Sequence, residues 1–105
     1  MILEIKSIEN DHIFLNMDSM TTMYIGSKDK IIIEYGGSMY DGDRILTAAI
    51  AVAPVPYVNN GRISSTTMKI LRTIIESLKK GEKYLMLGHD REIYSVKYFI
   101  RVVND

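Results

Sequence analysis

The sequence contains no cysteine, no tryptophan and two prolines, and neither charge is in excess: 13 Lys plus Arg stand against 13 Asp plus Glu in 105 residues. Without cysteine there is no disulfide framework, no thiolate metal site and no cysteine nucleophile. A reducing cytoplasm is the compartment such a chain suggests. A net charge of zero argues against general attraction to nucleic acid or anionic membrane, since both need a surplus of positive charge. A long apolar run is missing too. The longest stretch without a charge, Ile45 to Gly61, is interrupted by Pro54, Pro56, Asn59 and Asn60, whereas a spanning helix needs about 20 apolar residues. The opening residues Met1 to Lys6 place Glu4 and Lys6 inside their apolar run, unlike a signal peptide. A soluble, cytoplasmic protein without a membrane segment is the expectation.

What is present points to a folded chain. Apolar residues make up 47% and charged residues 25%, the reverse of a disordered composition. At this length a chain buries roughly two-thirds of its unfolded surface, so a single domain over residues 1–105 is expected.

The first half alternates short apolar segments with turns, the pattern of an antiparallel meander. Met1 to Ser7 sets Leu3 and Ile5 against Glu4 and Lys6, and Glu9-Asn10-Asp11 turns the chain. His12 to Met17 sets Ile13, Leu15 and Met17 against His12, Phe14 and Asn16. Met20 to Ile25 and Ile31 to Tyr35 give further strands around the polar turn Ser27 to Lys30. Asp41-Gly42 marks a hairpin because a type I′ turn needs left-handed backbone. The run Ile45 to Ala53 fits a strand buried on both faces or a short helix capped by Asp43; we favour the strand, ended by Pro54 and Pro56.

A helix is predicted over Ser65 to Lys80, with Met68, Leu71, Ile74, Ile75 and Leu78 as its apolar stripe. Ser64 or Ser65 can cap its start and Gly81 can end it. Lys83 to Leu87 then reads as a strand, Gly88-His89-Asp90-Arg91 as a turn, and Glu92 to Val103 as the longest strand, with Tyr94, Val96, Tyr98, Ile100 and Val102 on one face. The expected class is α+β: an antiparallel meander sheet with one long amphipathic helix on one face, then a C-terminal β-hairpin.

Few residues invite chemistry. His89 and Arg91 flank Asp90, and an imidazole beside a carboxylate and a guanidinium can move a proton near a phosphate. A polar turn with Asp90 bonding the local backbone explains the same residues. His12 and His89 lack further ligands at metal-site spacing, so no metal and no cofactor is expected. Asp41-Gly42-Asp43 lacks the ligand pattern of a calcium loop, and Gly36-Gly37-Ser38 does not continue as a phosphate loop, which makes a bulge the simpler reading. For ligand or partner binding the candidates are Tyr57, Asn59, Asn60 and Arg62, on a long connection before the helix, and Ser64 and Ser65 at the helix start, where free amides and hydroxyls converge.

The neutral total conceals a split. Residues 1–61 hold four Lys or Arg against eight Asp or Glu, and residues 62–105 hold nine against five. The split can create a basic face or be consumed by pairing between the halves. A sheet, the Gly61-Arg62 lead-in and one helix over Ile31 to Lys80 are similar in outline to the single-stranded-DNA-binding domains of transcriptional positive cofactors. The two strands after the helix depart from that outline, and no residue role follows from it.

These observations point to a small non-catalytic binding or regulatory protein that recognises a protein partner or a small anionic ligand and self-associates as a homo-oligomer. Two alternatives accompany this expectation: single-stranded nucleic-acid binding by the basic second half, and a phosphodiester- or nucleotide-processing enzyme using His89.

Overall fold

The computed structural model of the chain describes residues 1–55, 58, 59, 62, 63 and 65–104; of residues 36–41, 58, 59, 62, 63, 65, 103 and 104 it describes the backbone alone. The alternation at the N-terminus produces strands β1 (Ile2–Lys6) and β2 (His12–Asn16), antiparallel with Leu3 opposite Leu15 and Ile5 opposite Ile13. Leu3 and Ile5 are fully buried. Single 3₁₀ turns at Met17–Ser19 and Ser27–Asp29 bracket β3 (Met20–Ile25). Next come β4 (Ile31–Asp41) and β5 (Arg44–Pro54), joined by the expected hairpin, in which Asp41 faces Arg44 and Gly42 has φ +62°.

The Gly36-Gly37-Ser38 segment lies within β4, and the β4–β5 register shifts between Tyr35 and Met39, as a bulge requires. Ile45 to Ala53 lies within strand β5 and is not helical. Beyond it the short strands β6 (Val58–Asn59) and β7 (Arg62–Ile63) pair with each other. Helix α1 (Ser65–Lys79) follows, then β8 (Tyr84–Leu87) and β9 (Ile93–Asn104).

The α+β class is the one expected, with largely antiparallel sheets and one long amphipathic helix. Its strands form two main sheets, β2-β1-β8 and the meander β3-β4-β5-β9. The C-terminal segment does run strand, turn, strand, but β8 and β9 are not hydrogen-bonded neighbours. β8 pairs parallel with β1, placing Leu85 beside Leu3 and Leu87 beside Ile5, and β9 pairs antiparallel with β5. The reason is packing: this division adds Leu87 to the core from one sheet and Ile93 and Val96 from the other.

One core joins both sheets and the helix. Leu3, Ile5 and Leu87 meet Ile31, Ile33, Ile50 and Val52 of the meander, with Ile70 and Ile74 of α1 against them. Full burial of each such side chain is worth about 1.5–3 kcal/mol. The helix is rolled relative to the expected stripe: Ile70, Ile74, Thr67 and Ser77 are buried and Met68 is exposed. Thr67 tolerates burial because its hydroxyl donates to the Asp29 carbonyl at 2.8 Å. The helix ends as anticipated, with Gly81 at φ +71°, its amide donating to Leu78 and the Glu82 amide to Ser77. Among the described residues no helix is long and apolar enough to cross a membrane.

Candidate functional site

The turn between β8 and β9 is fixed by two residues. Gly88 has φ +97°, and a Cβ there would lie 1.8 Å from the Lys6 carbonyl oxygen, so only glycine lets β8 pass the end of β1. The Glu92 carboxylate accepts the backbone amides of Gly88 at 2.6 Å and of Asp90 at 3.0 Å. Asp90 was the residue expected to bond the local backbone; Glu92 does so instead, because it stands at the start of β9 with two turn amides pointing at it. The side chains of His89 and Asp90 are left at the surface.

They stand over a groove of about 430 Å³ between this turn and the first half of α1. Thr66, Lys69, Ile70 and Thr73 line it from the helix, Met86 and Leu87 from β8, and His89, Asp90 and Glu92 from the turn. Ile70 and Leu87, both buried, give it an apolar floor. At the rim the Thr73 hydroxyl donates to the Lys69 carbonyl at 2.8 Å. Neither the Lys69 ammonium nor the His89 ring has a hydrogen-bond or ion-pair partner among the described residues. Thr66 lies in the first turn of α1, at the positive end of the helix dipole. The groove thus offers a cation, an imidazole and a hydroxyl above an apolar floor, with Asp90 on the same rim and the Glu92 carboxylate engaged by the turn.

No protein-family model, curated protein or solved structure matches this chain.

The structure separates the residues singled out from the sequence. His89 lines the groove; Arg91, in the same turn with φ +60°, is not among its lining residues. Tyr57, Asn60 and Ser64 lie outside the described residues. Asn59 and Arg62 face each other across the β6–β7 pair and Ser65 begins α1, their side chains being outside the description. Lys69 and Thr73 escaped the sequence reading because they looked like the solvated side of a helix, and only the rolled orientation of α1 turns them toward β8.

A second polar cluster also went unread. On the outer face of the β2-β1-β8 sheet the Glu4 carboxylate meets His12 Nε2 at 2.6 Å and accepts the Tyr84 hydroxyl on its other oxygen. The exposed Phe14 ring packs beside His12 with centroids 4.9 Å apart. Alternation along β1 and β2 could have placed Glu4 and His12 on one face; Tyr84 required the parallel β1–β8 pairing. Among the described residues no three His, Asp or Glu side chains cluster as metal ligands do.

The charge split is partly consumed within the chain. Arg101 on β9 reaches Glu34 on β4, Nε to Oε1 at 2.5 Å, diagonally across β5, where Glu34 is opposite Ala49 and Arg101 opposite Thr47, and Lys97 lies 3.8 Å from Glu9. Tyr24 donates to the same Glu34 carboxylate at 3.0 Å. Burial first, and then that hydrogen bond, push the Tyr24 hydroxyl above the ordinary phenol range.

Proposed function

We propose that this chain is a small non-catalytic binding or regulatory protein that holds a small anionic ligand in the groove between α1 and the 88–92 turn, and that it works in a self-associated form. The observation carrying this reading is the unpartnered pair Lys69 and His89 facing one groove. An ammonium without a carboxylate partner, beside a hydroxyl and the positive end of a helix, suits a carboxylate or phosphate group, and the apolar floor suits a small organic body attached to it. Asp90 on the rim would select against ligands carrying charge on that side.

The nucleic-acid alternative draws on the exposed Tyr94 and Tyr98 of β9. It gains less support, because Lys97 and Arg101 on the same strand are spent on Glu9 and Glu34. The enzymatic alternative gains least, since the His89 ring has no hydrogen-bond partner among the described residues to orient it or relay its proton.

Amide chemical-shift mapping of the labelled protein with inorganic phosphate and with citrate tests the proposal. Shifts are expected at Thr66, Lys69, His89 and Asp90, and Lys69→Glu should weaken binding by about tenfold or more. Saturation at other positions, or equal affinity in Lys69→Glu, overturns it. Anisotropy with single-stranded oligonucleotides at low salt examines the nucleic-acid alternative in the same preparation.

A further inference from the structure

β9 is the outer strand of the meander sheet, and its free edge is closed along one half alone. At the start of the strand the Ile93 carbonyl accepts the Ile8 amide at 2.9 Å, and the Val96 amide donates to Asp11 Oδ2 at 3.0 Å. Past that point the β5–β9 register runs without a break from Ala53 opposite Ser95 to Arg44 opposite Asn104. Val96 turns its N–H away from β5 to reach Asp11. The alternation of an antiparallel ladder therefore turns the N–H and C=O of Tyr98, Ile100 and Val102 outward as well. No strand among the described residues pairs with them.

The side chains of the same three residues share the face that carries Val96 into the core, but they extend past the core's end. Tyr98, Ile100 and Val102 are 61%, 59% and 49% exposed. An edge that is both unpaired in its backbone and apolar on one face is the kind that recruits another strand.

We propose that a second copy of this chain closes the edge, the two β9 strands pairing antiparallel about a two-fold axis at Ile100. The proposal deepens the self-association named above and rests on that part of the reading, not on the groove. Charge is compatible with a second copy as the occupant and disfavours the adjacent registers. With Ile100 opposite Ile100 of the second copy, Tyr98 faces Val102, Arg101 faces Phe99 and Lys97 faces Val103, so no charge meets its like directly. Moving the axis one residue toward the start of β9 sets Lys97 against Arg101, and moving it one residue the other way sets Arg101 against itself; both are unfavourable cross-strand pairs. Moving it two residues toward the start brings Val96, whose amide is already taken by Asp11, into the pairing. Arg101 is also drawn off the edge by its contact with Glu34, which keeps the seam free of its charge. The Ile100-centred pairing joins the two meander sheets into one continuous sheet and makes an isologous, self-limiting contact.

The absence of cysteine makes the register directly readable. Light scattering on the full chain at up to roughly 100 µM, which populates a dimer of micromolar Kd, should give a dimer. Ile100→Lys, at a surface position that the fold tolerates, should give a folded monomer by circular dichroism. Ile100→Cys should be captured as a covalent dimer by a short bis-maleimide. Val102→Cys should not, because its two copies would stand about 13 Å apart along the strands. A monomeric parent protein overturns self-association and this interface together. A dimer that survives Ile100→Lys, or one in which Val102→Cys is captured as readily as Ile100→Cys, leaves self-association standing and overturns this location for it.

Discussion

Asp11 and Val96, 85 positions apart in the chain, are joined by a 3.0 Å hydrogen bond from the Val96 amide to the Asp11 carboxylate. The same carboxylate oxygen accepts the Ser7 hydroxyl at 2.9 Å, and the Ser7 side chain in turn accepts the Asp11 amide. The loop after β1 is thereby fastened to the edge of β9, which ties the three-stranded sheet to the meander. These bonds, from Val96 first and Ser7 second, outweigh desolvation and hold the Asp11 carboxyl below the ordinary carboxylate range.

Asp11 should therefore contribute to acid sensitivity with a definite sign. A lowered pKa in the folded state means that its stabilisation is complete above the usual carboxylate value and is lost as pH falls through the lowered one. Asp11→Asn is expected to lose about 1–2 kcal/mol near neutral pH and to show a shallower loss of stability below about pH 4. Urea unfolding of both proteins across that range checks it; parallel pH profiles would show that Asp11 is not the group responsible.

Arg101 and Glu34 offer a test of the charge split. Glu34 is 4% exposed, so removing its guanidinium partner strands a desolvated carboxylate that retains the Tyr24 hydroxyl. Because the Arg101 side chain is itself partly open to solvent, Arg101→Ala should cost about 1–3 kcal/mol, short of a fully buried pair. The double replacement Arg101→Met with Glu34→Met should recover much of that loss. A double-mutant cycle by thermal unfolding measures both, and a coupling near zero would reduce the pair to a surface contact.

How much of this was legible follows the distance over which each signal acts. The hairpin at Gly42, the end of α1 at Gly81 and the long strand β9 are local: turn chemistry, a cap and alternation identify them without knowledge of the rest. The parallel β1–β8 pair is not local, since nothing in Tyr84 to Leu87 distinguishes pairing with β1 from pairing with the next strand. The roll of α1 was misread for a related reason. Thr67 and Ser77 look like surface residues, yet both are buried, and Asp29 supplies a partner for the Thr67 hydroxyl. His89 could be singled out by residue type, but Lys69 became its neighbour through that roll.

The glycines at 42 and 88 share a positive φ but differ in surroundings, so they should respond differently to the same substitution. Gly42→Ala meets nothing within 4 Å and should cost about 1 kcal/mol, the strain of left-handed backbone alone. Gly88→Ala drives a methyl group into the Lys6 carbonyl and should cost well above that, about 3 kcal/mol or more. Its damage should also be localised: hydrogen exchange at the β1–β8 amides should accelerate more than at β4 and β5. Equal losses in the two variants would mean that the approach of Gly88 to Lys6 is not tight in solution.

Glu92 links the fold to the groove most directly. Its carboxylate accepts the amides of Gly88 and Asp90, and those amides bracket His89, so the position of the imidazole over the groove depends on a side chain that does not itself need to touch a ligand. Glu92→Gln keeps the shape and one carbonyl acceptor but loses the second acceptor and the charge. It should lower stability by about 1 kcal/mol, speed hydrogen exchange at Gly88 and Asp90, and weaken phosphate or citrate binding even though it removes a negative charge from the rim. If the charge at 92 merely repelled anions, the same substitution would strengthen binding. The sign of that change therefore decides between Glu92 as the organiser of the His89 turn and Glu92 as an electrostatic barrier to the ligand.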